Sequence, residues 1–400
     1  MKEKKVKIGV FGAGRGMTMI NVLSRHPDAE LVAICDKYLP LLEKCKKVAE
    51  ETGSKISLYE KFEDFINHDM DAVVLANYAN EHAPFAIKLL KSGRHVVSEV
   101  LPVETLAQAV ELVEAVEQSG KIYSYAENYC YFAATREMKK LYSQGDLGEF
   151  VHGEGEYVHN CEPIWTDLTN GDKDHWRNRC YPTYYCTHSL GPIITITNTR
   201  PVKVVGFETP MYKGLHDLGC KGSYSGMIVL QMDNGATVKS LQGQFKREPC
   251  AVWYSIYGTK GMVESDRWME GVDRINVFRE KNDLTQFEIS YRPKPAIDNE
   301  LSRTISGHGG SDFYTMHYFI QSILGRNDGK ETIDIYRALD MGLPGILAYK
   351  SICKGNVPIL VPDFRDKVVR ENYRFDNWCT NPEIAGDNLA PISSFEKIIE

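Results

Sequence analysis

Short apolar, β-branched runs alternate with amphipathic stretches of helical spacing over the first third of the chain, and this restricts the fold more than any other feature. "VKIGVFGAG" closes on glycines and is followed by "RGMTMINVLSRHP"; "AELVAICD" leads into "YLPLLEKCKKVAEETG". "MDAVVLANY", "RHVVSEV" and "KIYSYAEN" continue the series, separated by the helical stretches "EHAPFAIKLLKSG" and "VETLAQAVELVEAVEQSG". Runs that are apolar throughout belong to strands buried on both faces. Interleaved with helices, they predict an α/β domain over residues 1–126 built on a doubly wound parallel sheet. Glycines close several of the helical stretches, as helix C-termini favour.

The first strand-to-helix turn carries Gly12, Gly14, Arg15 and Gly16. Glycines there let backbone N–H groups and a helix N-terminus approach a pyrophosphate. Met17 stands where a full G-x-G-x-x-G has its third glycine, so the turn alone also fits an ordinary tight bend. Asp36, closing the second run, supplies a carboxylate for both ribose hydroxyls; its other reading is a helix N-cap. A carboxylate there repels a 2′-phosphate and favours NAD over NADP, while Lys37 beside it is a cation that such a phosphate would use. Asn77, Asn80 and His82, at the end of "MDAVVLANY" and just beyond, fall where loops edge a cofactor.

From Glu127 the hydrophobic period changes. After a helix in "FAATREMKKLYSQG" come longer alternating segments: "FVHGEGEYVH", "PVKVVGFETP", "YSGMIVLQMDNGATVKSLQGQF", "AVWYSIYGTKGMVESD" and "DRINVFRE". Asn-Gly between alternating runs in "MDNGATV" is a hairpin signal. Residues 127–360 therefore predict an α+β substrate domain with an open, mostly antiparallel sheet and two late helices, in "SDFYTMHYFIQSILGR" and "DIYRALDMGLPGILAYKSI". A tail over 361–400 has little periodicity.

Composition removes several classes of function. Apolar and charged fractions of 43% and 25% are those of a globular chain. A net charge of -7 without a Lys/Arg block argues against nucleic acid as a partner. No run approaches the length needed to span a bilayer, and the apolar run after the basic start breaks at glycines too early for a signal sequence. Ten scattered cysteines fit reduced thiols in the cytoplasm.

"CYPTYYCTHSLGP", Cys180 to Pro192, sets His188 among hydroxyls and thiols. Three readings stand: metal ligand, general base, or polar residue at a helix start. Cys161, Cys180, Cys186 and His188 have ligand chemistry, but no C-x-x-C pair is present and the gaps are wide, so no metal is expected.

The order of these parts resembles the glucose-fructose oxidoreductase/inositol dehydrogenase/MocA (Gfo/Idh/MocA) family, which joins a Rossmann domain to an open-sheet domain and acts on sugars or polyols. "SGRHVVSEVLP" corresponds to the family's G-K-H-V-L-C-E-K-P, and "YGTKGMVES" to a hairpin of its second domain. Val100 stands at the lysine, and Tyr184 replaces an aspartate before the histidine. Both departures are similar to the NAD-dependent α-N-acetylgalactosaminidase branch of glycoside hydrolases. There E-V-P replaces E-K-P, and Y-P-T-H-G-L-G-P resembles "YCTHSLGP"; "ENYCY", "GHGGSDF", "DIY" and "PDF" follow in the same order.

That resemblance implies a redox-neutral glycoside hydrolysis: oxidation at C3 by bound NAD, proton loss at C2, departure of the aglycone, water addition and re-reduction. It assigns His188 to the C3 hydroxyl and Tyr131 to the C2 proton, with Tyr129 as competitor. It gives Tyr157, Arg177, Tyr185, Thr187 and His308 to the substrate, and Glu99, Val100 and Asn128 to the nicotinamide half of the cofactor. It also implies a homo-oligomer paired through sheet faces. A dehydrogenase that releases NADH and a nucleotide-binding regulator remain as other readings; Val100 favours hydrolysis, because loss of the lysine weakens net alcohol oxidation more than an internally returned hydride.

Overall fold

Six parallel strands form the first sheet: β1 (Val6–Phe11), β2 (Ala29–Cys35), β3 (Ser57–Tyr59), β4 (Ala72–Leu75), β5 (His95–Ser98) and β6 (Tyr123–Tyr125). The computed structural model describes residues 5–248, 250–267, 271–280 and 289–400; the first four residues of the basic start lie outside them. The strand order is β3-β2-β1-β4-β5-β6, which reverses between β1 and β4 and so sets a ligand-binding switch point at their C-terminal ends. Val6, Ile8 and Val10 of β1 and all of β4 are buried, as strands covered on both faces require. Helices Leu39–Thr52 and Leu106–Ser119 end on left-handed Gly53 and Gly120, at φ 66° and 60°. β3 and the one-turn helix Phe62–Phe65 are too short to have shown a period in the sequence.

The chain divides into two compact units, residues 1–131 with 297–339 and residues 132–296 with 340–400. This differs from the division at 126 and 360 read from the sequence. Helix Ser311–Ile323 belongs to the first unit, where its Phe313, Met316 and Ile320 are buried and Phe313 stacks on His26, 6.2 Å between ring centroids. The last forty residues are part of the second unit: Arg370 is fully buried, its Nε donating to the Phe364 carbonyl at 2.6 Å. Short turns rather than long elements build this stretch, which is why it lacks periodicity.

The second unit holds a nine-stranded sheet. Its strands are β7 (Phe150–Val158), β8 (Pro201–Glu208), β10 (Ser225–Met232), β11 (Thr237–Gly243), β12 (Ala251–Gly258), β13 (Gly261–Asp266), β14 (Gly271–Arg279), β15 (Ile289–Tyr291) and β16 (Ile359–Leu360); β9 (Met211–Tyr212) pairs instead with β17 (Ile398–Ile399). The order is β15-β14-β13-β12-β7-β11-β10-β8-β16, antiparallel throughout except between β7 and β11. Along β10, Ile228, Leu230 and Met232 point into the core while Val229 is 41% exposed, the alternation of a sheet with one open face. The expected Asn-Gly hairpin joins β10 to β11, with Gly235 at φ 88° and the Met232 N–H donating to the Ala236 carbonyl.

Helix Thr187–Thr197, whose start was one of the three readings of His188, lies against β7 so closely that a Cβ on Gly155 would stand 1.8 Å from the Ser189 carbonyl oxygen. Among the described residues no helix is long and apolar enough to cross a membrane, and all ten cysteines are free thiols.

Candidate functional site

In the first unit, the turn after β1 is compressed against the sheet. Gly12 has φ 96°, and a Cβ there would meet the Ala76 carbonyl at 2.4 Å; one on Gly16 would meet the Gly12 carbonyl oxygen at 2.1 Å. A Cβ on Gly14 would make only ordinary contact, so the first and third glycines, not the middle one, are the sterically required members. The Asp36 carboxylate is 8% exposed and accepts the backbone N–H of Ala13 at 2.7 Å and of Tyr38 at 2.8 Å. It thus holds the turn's shape and keeps lone pairs for further donors. Lys37 lies over the Tyr78 ring at 4.5 Å.

Beyond β4, the side-chain oxygens of Asn77 and Asn80 are buried without a hydrogen-bond partner, as groups that receive a polar ligand would be. The compressed glycine turn, Asp36 and these two amides fit a dinucleotide. His82 does not join them. Its ring nitrogens lie 3.0 Å from the Leu101 carbonyl and 3.3 Å from that of Asn77, and burial lowers it to about 4, so a neutral imidazole braces the loop.

Arg15 also takes a different part from the one expected. Its guanidinium makes a forked pair with Asp312, at 2.8 and 3.2 Å, an ion pair with Glu99 at 2.8 Å, and a bond to Thr18 Oγ1 at 2.7 Å. Burial opposes its charge, but the two carboxylates outweigh that and raise the guanidinium further. Asp312 is fully buried and accepts also from Asn128 Nδ2 at 3.0 Å and from His308 Nδ1 at 2.9 Å. Burial alone would raise its carboxyl; the bond from His308 and the charge of Arg15 hold it well below the usual carboxylate range. The network needs Gly307, where a Cβ would stand 2.7 Å from the Asp312 carboxylate. Val100, buried, gives its N–H to Glu99 at 3.2 Å.

Tyr129 and Tyr131 share a turn of 3-10 helix, Asn128–Tyr131, and part ways within it. The Tyr131 hydroxyl donates to the Glu331 carbonyl at 2.8 Å and its ring packs on Tyr318. Tyr129 is 7% exposed, with its ring 6.2 Å from that of His308.

In the second unit His188 is the second residue of helix Thr187–Thr197 and is 8% exposed. Pro192 sits four residues on, inside the helix, and has no N–H to give the His188 carbonyl. The Tyr254 hydroxyl from β12 gives that bond instead, at 2.6 Å. Tyr157 lies 4.8 Å and Tyr185 6.0 Å from the imidazole, ring to ring, and Arg177 stacks over Trp176 at 4.7 Å and Tyr185 at 5.4 Å. Burial pushes the Tyr157 phenol far above its ordinary value, which keeps it a donor. Thr187 Oγ1 is buried without a hydrogen-bond partner, as are the side-chain oxygens of Asn160 and Gln244 just past the paired ends of β7 and β11. The structure therefore gathers Tyr157, Arg177, Tyr185, Thr187 and His188, and adds Tyr254, which the sequence reading missed.

Of the thiols in the alternative metal reading, Cys186 donates to the Met341 carbonyl at 3.3 Å, Cys180 to that of Tyr181, and Cys161 lies 2.9 Å from His159 Nδ1. Among the described residues no three potential ligands are placed to hold a metal ion.

Residues 6–127 match the oxidoreductase family, NAD-binding Rossmann fold (Gfo/Idh/MocA), and residues 222–369 match the glycosyl hydrolase 109 C-terminal domain. A glycosyl hydrolase family 109 protein of Phocaeicola vulgatus is 25% identical over 91% of this chain and 84% of its own length. An alpha-N-acetylgalactosaminidase of Tannerella forsythia is 26% identical over 90% and 86%. Among solved structures, an oxidoreductase from Agrobacterium radiobacter in complex with NAD+, L-tartaric acid and magnesium superposes with TM-score 0.72 at 17% identity, covering 90% of this chain and 99% of that one. Scyllo-inositol dehydrogenase from Lactobacillus casei gives 0.70 at 20% identity, covering 90% and 99%. These two share the fold.

Proposed function

Because this chain belongs to the Gfo/Idh/MocA family, in its glycosyl hydrolase 109 branch, we propose that it is an enzyme that hydrolyses a glycoside by a redox-neutral cycle with NAD as resident cofactor. Bound NAD would supply the hydride acceptor at C3 and return the hydride at the end. The turn at Gly12 and Gly16, Asp36, Asn77 and Asn80 would hold it, with Glu99, Val100 and Asn128 at its nicotinamide half.

The chain's own side chains move the protons. His188 takes the C3 hydroxyl proton and gives it back. The C2 proton falls to Tyr129, because Tyr131 has committed its hydroxyl to the Glu331 carbonyl. Arg177, Tyr185, Tyr157 and Thr187 orient the sugar, an N-acetylated one by likeness to the Tannerella relative. The observation that carries hydrolysis over net oxidation is Val100, a buried aliphatic residue where the family's dehydrogenases have a lysine. Free thiols support a cytoplasmic location, and the open sheet face, with Val151 and Phe207 50% and 43% exposed, supports pairing with a second copy.

A panel of 4-nitrophenyl glycosides, beginning with the α-N-acetylgalactosaminide, tests the reading. Nitrophenol release without accumulating NADH is expected, with deuterium at C2 of the sugar when the reaction runs in heavy water. NADH that accumulates with a free sugar or polyol would instead establish a dehydrogenase.

A further inference from the structure

We infer that the second unit carries a separate saccharide-binding pocket, built by the last stretch of the chain and sharing no residue with the group around His188. A cavity of about 460 Å³ opens there, with Asn372, Phe375, Asp376, Trp378 and Asn388 among its walls and Lys350 and Glu371 closing it. That volume lies within the range of small-molecule sites, about 300–1,000 Å³.

The lining defines the ligand. Its charges cancel within the walls: Lys350 Nζ lies 2.7 Å from the Asp376 carboxylate, and Arg374 Nε donates to Glu371 at 2.9 Å. An ionic ligand would have to break one of these pairs. Asn372 and Asn388 are exposed, and among the described residues their side-chain amides make no hydrogen bond. Each therefore offers both donors and acceptors to a neutral partner. A wholly apolar ligand would cover these amides without satisfying them, which is costly. Phe375 is 83% exposed and presents an open aromatic ring. Trp378, in the same wall, is held by Lys350 Nζ at 5.3 Å from its ring and by the Tyr349 ring at 5.8 Å. The negative face of an aromatic ring attracts C–H groups, and a pyranose presents several on one side. A ligand that is neutral, hydroxylated round its rim and apolar on one face is a sugar ring.

Fluorine NMR tests this on the full-length protein. Replacing the five tryptophans by 5-fluorotryptophan gives a resonance for each, and that of Trp378 is identified by its loss in Trp378→Phe. The probes are N-acetylgalactosamine, galactose and glucose, with inorganic phosphate and acetate as ionic controls. At least one sugar is expected to shift the Trp378 resonance saturably. Asn372→Ala combined with Phe375→Ala, both at exposed positions, should raise the Kd of that shift at least about tenfold. No shift with any of the sugars, an unchanged Kd in the double variant, or an equal shift with phosphate or acetate would overturn the assignment. The titration needs no turnover, so its outcome is independent of whether the protein releases an aglycone from any glycoside.

Discussion

The bond from Tyr254 to the His188 carbonyl makes a prediction that the sequence contains its own control for. Tyr254→Phe keeps the buried ring and removes only the hydroxyl, from a residue that is 1% exposed. The carbonyl it serves lies in a helix where Pro192 has no N–H to offer. Depriving a buried carbonyl of its donor costs about 2 kcal/mol, roughly a thirtyfold fall in the folding equilibrium constant. Pro192→Ala restores an N–H four residues from His188, so the helix can make that bond itself. In the alanine background Tyr254→Phe should cost less than about 0.5 kcal/mol; any change in unfolded-chain entropy on losing proline cancels in the double-mutant cycle. Urea unfolding of the four proteins measures this, and kcat reports whether the imidazole has shifted. If Tyr254→Phe costs the same with proline or alanine at 192, the hydroxyl is not replacing the missing N–H and the reasoning fails.

Three further outcomes are expected. Tyr129→Phe should lower kcat by about 100-fold or more and Tyr131→Phe by less than tenfold, read from initial rates; the reverse order would return the C2 proton to Tyr131. Burial beside His317 depresses His26 to about 4, below its unfolded value of about 6.5, so its neutral form is favoured by folding; Asp28 partly offsets this and Lys5 and Arg326 add to it. Stability from this residue is therefore complete above pH 6.5 and is lost, by about 3 kcal/mol, as pH falls towards 4; His26→Gln should flatten that part of a urea-stability profile, and an unchanged slope would refute the linkage. Asp36→Asn should narrow the preference for NAD+ over NADP+ at least about tenfold in binding titrations, and an unaltered ratio would show that the carboxylate serves only the turn it caps.

What the sequence made legible follows from how local the signals are. The parallel sheet was visible because each strand and helix declares itself within about a dozen residues, and the Asn-Gly hairpin because its turn chemistry is carried by adjacent residues. The continuation of helix Thr187–Thr197 past Pro192 was hidden, because proline ordinarily marks an end; the compensating hydroxyl comes from residue 254 and leaves no local trace. The tie between Asp312 and Arg15 left no local signal, because the two lie 297 residues apart. Tyr131 and His82 carry the expected chemistry, but which hydroxyl or ring a backbone carbonyl claims depends on folded neighbours.

Assembly of the first unit from two separated stretches, residues 1–131 and 297–339, has a bearing on inheritance and on engineering. A gene cut after residue 131 would encode the six strands yet strand Arg15 with Glu99 alone and leave the seat of Phe313 open to water. Swapping cofactor modules between relatives therefore means moving both stretches together. Any recombination that parts them discards the acid that tethers the glycine turn, so lineages of this kind should exchange substrate preferences by trading what lies between the two pieces.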